Sequence, residues 1–379
     1  MKKNDELHKY KKYLYEKQEK EDGSKLWAQV PKSVIDTVIQ AEIGEKTING
    51  IFDKVDDIID DKQVDIIVGG PPCQAYSVVG RARIGKAVED DPRNELYRYY
   101  VDFLKKYQPK MFVFENVTGI RSAKNGTVWK DLKDAITNVG YNIGASIFDA
   151  SNYGVLQYRN RMIIVGWQSL MGQNCFPLLE KEENKNEVLK DLFNDLPERK
   201  NGEGQLYVPI KYTKPISEME YLKNSGIRND DFDFTTHHIA RPHNENDRII
   251  YKLAIDKWIE KRERLNYNTD VPLENQTQNN KESFLNRFQV VDHIGKSHTV
   301  VAHIAMDGHY YIYPTLNPTV ENVRSITVRE AARIQSFPDD YFFEGSRTSA
   351  FRQIGNAVPV VLAHKIAEII KEKLVNGLQ

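Results

Sequence analysis

The stretch Val64-Asp65-Ile66-Ile67-Val68 is a short apolar, β-branched run that stops abruptly at Gly69-Gly70-Pro71-Pro72. Such a run suits a strand buried on both faces, and the Gly/Pro cluster turns the chain out of the sheet at that point. A strand of that kind needs helices on either side of its sheet. The following residues supply the pattern. Leu96 to Leu104 reads as a helix broken at Gln108-Pro109, and Met111-Phe112-Val113-Phe114 reads as a second strand ending at Glu115-Asn116. After another helix-like stretch, Ile143 to Phe148 and Arg161 to Gly166 give two more strands. The alternation predicts an α/β fold.

From about Ser169 to Val323 the periodicity fades, and Gly, Asn, Asp, His and isolated aromatics dominate. A stretch of that length is too long for one loop, so it reads as a smaller domain inserted into the first. Helical signals then return. Thr327 with Glu330 makes a capping box, and Leu362, Ile366, Ile369, Ile370 and Leu374 have amphipathic spacing. The expected division is 1–175, 176–320 and 321–379, the last returning to the first domain. Residues 1 to about 60 read as charged surface helices.

At 379 residues, 40% hydrophobic and 28% charged, the chain can bury a core, which excludes a wholly disordered protein. With 53 Lys+Arg against 54 Asp+Glu the net charge is −1, which excludes a polycation but allows a local basic cleft. Two cysteines, Cys73 and Cys175, make no disulfide framework and point to a reducing compartment. Met1-Lys2-Lys3-Asn4-Asp5-Glu6 has no apolar stretch behind it, and no run approaches the roughly 18 apolar residues of a membrane span. The expectation is a soluble, cytoplasmic protein with no membrane partner.

Chemistry concentrates at Gly69-Gly70-Pro71-Pro72-Cys73-Gln74-Ala75-Tyr76-Ser77. A thiol just past the carboxyl end of a buried strand lies where open α/β sheets place ligands, and in a polar loop it can act as a nucleophile. The competing reading is a buried structural cysteine. Glu115 ends a second strand, where burial would raise its pKa toward acid duty; a solvated or capping glutamate is the plainer reading. Gln157, Arg159 and Arg161 share one side if extended, as a fork for a carbonyl or phosphate oxygen or as an ordinary basic strand. Arg329 and Arg333 share a helix face and can brace a carboxylate. Gln353 to Pro359 is a Gly-containing turn. No metal-ligand set is read from the sequence.

In this order, Pro72-Cys73-Gln74, Glu115-Asn116-Val117, Gln157/Arg159/Arg161, the helix from Arg329 to Arg333 and Gln353-Ile354-Gly355-Asn356-Ala357-Val358 resemble the DNA (cytosine-5) methyltransferases. Arg333-Ile334-Gln335-Ser336-Phe337-Pro338-Asp339-Asp340-Tyr341 is similar to that family too, so the likeness runs from about Asp65 to the C-terminus. The resemblance implies a Rossmann-like methyltransferase sheet with an inserted target-recognition domain, and S-adenosylmethionine as methyl donor. It implies Cys73 as the nucleophile at cytosine C6, Glu115 at N3, and Arg161 at O2 with Arg159 bracing or sharing that task. The substrate would be double-stranded DNA with its target base flipped out, within a restriction-modification system. By motif, Gly70, Pro72, Leu96, Asn356 and Val358 would hold the cofactor, and Gln74 and Ser77 would touch DNA. Within the insert, Arg287, Lys296, Ser297, His298, Thr299 and His303 are candidates for reading the major groove, each with a plain structural alternative.

The chain departs from the family at its start. No Phe-x-Gly-x-Gly loop precedes Gly69, no strand-terminal acid for the ribose is evident, and Ile51 follows Gly50 where an acid is usual. The resemblance therefore implies an N-terminally incomplete sheet with an exposed edge and weak donor binding by this chain alone. A second polypeptide would supply the missing motif; the alternative is a catalytically incomplete or split-enzyme DNA-binding subunit.

Overall fold

The computed structural model describes residues 8–10, 12–13, 30–71, 96–171, 174–183 and 185–376. Pro72, Cys73, Gln74 and Ser77 lie outside the described residues. The chain divides into two compact units, one of residues 30–149, 159–181 and 364–379, the other of 1–29, 150–158 and 182–363.

The first of these carries the sheet. In chain order come α1 (Ile48–Ile59), β1 (Ile66–Gly69), α2 (Tyr97–Tyr107), β2 (Met111–Asn116), α3 (Thr127–Asn138), β3 (Tyr141–Asp149) and β4 (Asn160–Gln168). All four expected strands are present, in the order β1-β2-β4-β3. β1 pairs parallel with β2, Ile66 opposite Met111. β4 runs antiparallel to both neighbours, Met111 opposite Trp167 on one side and Tyr141 opposite Gln168 on the other. Mixed pairing was not legible from the apolar runs, because they are the same whichever way a strand runs.

Alternation along β2 sends Phe112 and Phe114 to a core completed by Leu104, Leu132, Ile136, Met162 and Ile164. Gly166 sits opposite Phe112, and the Phe112 ring occupies the space a side chain there would need. Tyr100 of α2 sets its ring edge-on to Phe112 and Phe114, and its hydroxyl donates to Ile67 O (3.2 Å) and Val113 O (2.9 Å). One side chain thus fixes α2 against β1 and β2 together. β1 is an edge strand of the described sheet, and Val68 is 70% exposed there.

The second unit holds a two-residue ladder, β5 (Ile210–Lys211) with β6 (Phe234–Thr235), and the helices α4 (Glu245–Lys261), α5 (Val328–Ile334) and α6 (Arg347–Asn356). The last helix, α7 (Val360–Asn376), buries Leu362, Ile366 and Ile370 at the expected spacing. α5 begins with the expected capping box, Thr327 accepting from Glu330 N and Glu330 from Thr327 N, and all seven of its residues are buried. Its Val328, Ala331 and Ile334 join Val188, Leu192, Leu222, Val300, Phe343 and Ile354 in one core. Compactness therefore does not follow the expected boundary at 320, since 321–363 packs with 182–320. Among the described residues, no helix is long and apolar enough to cross a membrane.

Charges inside that core are matched. Arg333 reaches Asp195 (Nη1–Oδ1 2.5 Å) and Asp339 (Nη2–Oδ2 2.5 Å) and also donates to Leu192 O. Arg228 meets the other Asp195 oxygen at 2.7 Å, and Arg324 meets Glu330 through two contacts of 2.8 Å. Burial alone would raise the Asp339 carboxyl; the Arg333 pairing outweighs it and holds it below the usual range. Removing one acid leaves buried cations uncompensated, which costs about 3–5 kcal/mol. Asp195→Ala is therefore expected to lower the unfolding free energy, measured by chemical denaturation, by that amount, and an unchanged value would mean the pairing contributes nothing to stability.

Candidate active site

The carboxyl ends of β1 and β2 lie side by side. Glu115 stands opposite Ile163 of β4, so Arg161, two residues along on the same face, is its diagonal neighbour. Arg161 Nε lies 2.8 Å from Glu115 Oε1, and Arg161 Nη1 donates to Asn160 O (2.8 Å). Arg159 is fully buried, its backbone N–H donating to Asp149 Oδ1 (3.3 Å). Burial raises the Glu115 pKa above the ordinary carboxylate value, and the charges of Arg161 and then Arg159 hold the rise back. A carboxyl whose hold on a proton is strengthened by burial therefore sits beside a guanidinium that can donate two hydrogen bonds. That combination recognises a ring nitrogen next to a carbonyl oxygen.

Two further contacts position the loop that leaves β1. Asn116 Nδ2 donates to Pro71 O (3.4 Å), while its Oδ1 accepts from Val117 N (2.9 Å). A Cβ on Gly70 would fall 3.0 Å from Glu115 Oε2, so glycine there lets the backbone pass close over the carboxylate. Beside this lies a pocket of about 680 Å³ between Val68–Pro71 and the start of α2 at Leu96, Tyr99 and Tyr100. Its size falls in the range of cofactor sites. Gly70 and Leu96, two of the residues assigned to the cofactor, both line it.

Glu42 and Ile43 complete the wall, and sequence reasoning passed over them. Residues 36–47 form turns and irregular chain. A lone acid in such a segment has no periodicity to mark it; the only hint is an apolar residue and a glycine directly after it.

Asn356, exposed, ends α6, and Val358 follows half-buried; both belong to the other unit. Their loop is held by Gln335, whose Nε2 donates to Ile354 O (2.7 Å) and Ala357 O (3.0 Å). Gln157 does not join the arginine fork. Its amide donates to Ile334 O (3.1 Å) and Gln335 Oε1 (2.8 Å) and accepts from Val300 N (2.7 Å), so it braces the second unit's core.

Several groove-reading candidates carry internal contacts. The Arg287 guanidinium holds its own loop through Phe284 O, Gln278 Oε1, Asn280 O and Ser283 O. Lys296 donates to Ser151 O (2.7 Å), and Thr299 Oγ1 to Tyr158 O (2.6 Å). Ser297 bridges to Gln157, and its hydroxyl donates to His298 O (2.9 Å). His298 Nε2 lies 2.5 Å from Tyr310 O, its ring stacks on Tyr311, and burial lowers its pKa to about 4. His303 is exposed.

Comparison with known proteins bears on what this geometry serves. The family described as C-5 cytosine-specific DNA methylase matches residues 24–372. The type II methyltransferase M.Bpa9945I of Bacillus paralicheniformis is 40% identical over 327 residues, covering 83% of this chain and 71% of that protein. The type II methyltransferase M.AgeI of Thalassovita gelatinovora is 30% identical over 372 residues, covering 82% and 83%. Among solved structures, a prophage-encoded DNA modification methyltransferase (E. coli) shares the fold with a TM-score of 0.58 at 23% identity, covering 90% of this chain and 86% of that one.

The raised Glu115 pKa has a measurable consequence. The folded state holds this proton more tightly than the unfolded chain, so its stabilising effect is complete at low pH and is lost as pH rises through the folded value. Glu115→Gln removes that dependence. The stability of E115Q relative to wild type is expected to improve as pH rises above the ordinary carboxylate range and then to level off in chemical denaturation, whatever the constant offset from the lost Arg161 contact. A pH-independent difference would show that Glu115 titrates as an ordinary surface acid.

Proposed function

The chain belongs to the C-5 cytosine-specific DNA methylase family and is a DNA cytosine-5 methyltransferase, and on that premise we propose how its own residues carry out the reaction. Cytosine C5 is a poor nucleophile until a thiolate adds to C6. Cys73, directly past the β1 loop, makes that addition. Glu115 holds or delivers the proton at N3 as the electron pair shifts toward C5. Arg161 binds O2, with Arg159 behind it. After transfer, loss of the C5 proton drives out the Cys73 sulfur and restores the ring. The target must leave the base stack to reach these groups.

S-adenosylmethionine supplies the electrophilic methyl group. The pocket beside Gly70 and Leu96 fits such a donor in size, with apolar walls for a flat base and the Glu42 carboxylate to accept from sugar hydroxyls. Asn356 and Val358 are assigned to the same donor by motif alone. Like the type II methyltransferases it resembles, the enzyme would serve as the modification half of a restriction system. Recognition of double-stranded DNA falls to the 176–320 segment.

The observation that carries this reading is the Glu115–Arg161 contact at the strand ends, which has the chemistry of a cytosine N3/O2 edge. The non-catalytic alternative gives no reason for a half-buried acid and guanidinium to be held there. On DNA containing 5-fluorocytosine, with donor present, wild type is expected to form a covalent complex that Cys73→Ser lacks. A complex that persists in C73S would remove Cys73 from the mechanism. Glu42→Gln should raise the KM for donor about tenfold with kcat kept, the loss of about 1.4 kcal/mol from a hydrogen bond to a charged group; an unchanged KM would take Glu42 out of the donor site.

A further inference from the structure

Three arginines gather around one short turn of the second unit, and nothing in the proposed chemistry uses them. α6 opens with Arg347 behind its cap Ser346, and Phe351 and Gly355 follow at four-residue steps on the same helix face. That face packs on the turn Ala302–Ala305 so closely that a Cβ on Gly355 would collide with the Ala302 backbone. Arg241 approaches the same turn, donating Nη2 to Ile304 O (2.7 Å) and Ala305 O (3.2 Å), with its guanidinium carbon 5.7 Å from the Phe351 ring centre. Arg352 places Nη2 4.0 Å from the Met306 sulfur. His303 and Met306, at the surface of the turn, are exposed.

Arg228, Arg324 and Arg333 of this unit are buried against acids; among the described residues, the three arginines at this turn are not. Among the described residues, none of Arg241, Arg347 and Arg352 forms an ion pair, and Arg347 makes no hydrogen bond. Other groups facing Arg241 are Asp307, which lies 3.6 Å from His309, and Tyr251. Burial, and after it the charge of Arg347, makes the Arg241 cation harder to hold. Half-buried like charges that no ion pair neutralises are unfavourable in the free protein and become favourable once an anion sits among them.

We propose that Arg347 and Arg352, with Arg241 behind them, grip a phosphate of the DNA backbone. This rests on the DNA reading above and adds to it a contact that fixes register without reading sequence. It also explains how a chain of net charge −1 holds a polyanion, through a local cluster set on one turn.

The test is the salt dependence of binding to a labelled duplex of arbitrary sequence by the full-length protein, over roughly 50 to 200 mM salt. R347Q/R352Q is expected to reduce the slope of log Kobs against log salt by about 0.9, the value of one phosphate contact. R347K/R352K should retain the wild-type slope. An unchanged slope in the glutamine variant overturns the proposal, as does an affinity loss that is the same at every salt concentration. Should the double variant fail to fold, charge reversal at the exposed Arg352 (R352E) must lower the slope, and no change there overturns the proposal equally. A wild-type protein that binds no duplex would instead sink the DNA reading itself.

Discussion

The site depends on one diagonal contact between antiparallel strands, Glu115 of β2 with Arg161 of β4. It forms only because β4 inserts between β2 and β3 against their direction, which brings the start of β4 beside the end of β2. Side chains alternate with period two, so a one-residue slip would send either partner to the opposite face. Register is held from the other face by Phe112 fitting into the space at Gly166. The apolar core thus sets where the Glu115 carboxyl points. Its protonation follows from the balance between burial, which raises its pKa, and the guanidinium that limits the rise.

Much of this was legible in the sequence, for physical reasons that differ by element. The central strands β2 and β4 announced themselves because a strand covered on both faces must be largely apolar. The capping box from Thr327 to Glu330 was legible because both partners lie within one turn of chain. Arg329 and Arg333 were legible as braces, but not what they brace. Arg333 reaches Asp339 six residues on and Asp195 from far upstream, while Arg329 spends its donors on Thr236 O, Pro338 O and Tyr341 O. Long-range partners leave no spacing to read. Glu42 escaped for a similar reason, since its meaning comes from the pocket beside it and not from its neighbours in sequence.

The Gln157, Arg159 and Arg161 triplet shows how a pattern can be right about residue type and wrong about a shared role. Extended alternation puts all three on one side, yet regular β4 begins only at Asn160. Gln157 instead bridges to Ser297 and is absorbed by backbone groups at Ile334 and Val300. The two arginines remain beside Glu115. Gln157, which braces a core, and Arg159, two residues on and beside Glu115, part company because the chain passes from one unit to the other between them.

The arginines of the second unit extend that distinction from position to partner. Arg228, Arg324 and Arg333 are buried against carboxylates, and the Arg287 guanidinium is spent on its own loop. Each is explained by the fold, since a buried cation must be paired. Residue type, and even burial, therefore says little about which cation meets a ligand. What separates Arg347 and Arg352 is that, among the described residues, no acid forms an ion pair with them, while Arg241 is held nearby through two carbonyls. A protein can hold such an arrangement at modest cost only where solvent still reaches it, as it does at the exposed Arg352. The same exposure lets a phosphate enter, so the electrostatic mismatch of the free chain and its capacity for a polyanion are one property seen with and without the ligand.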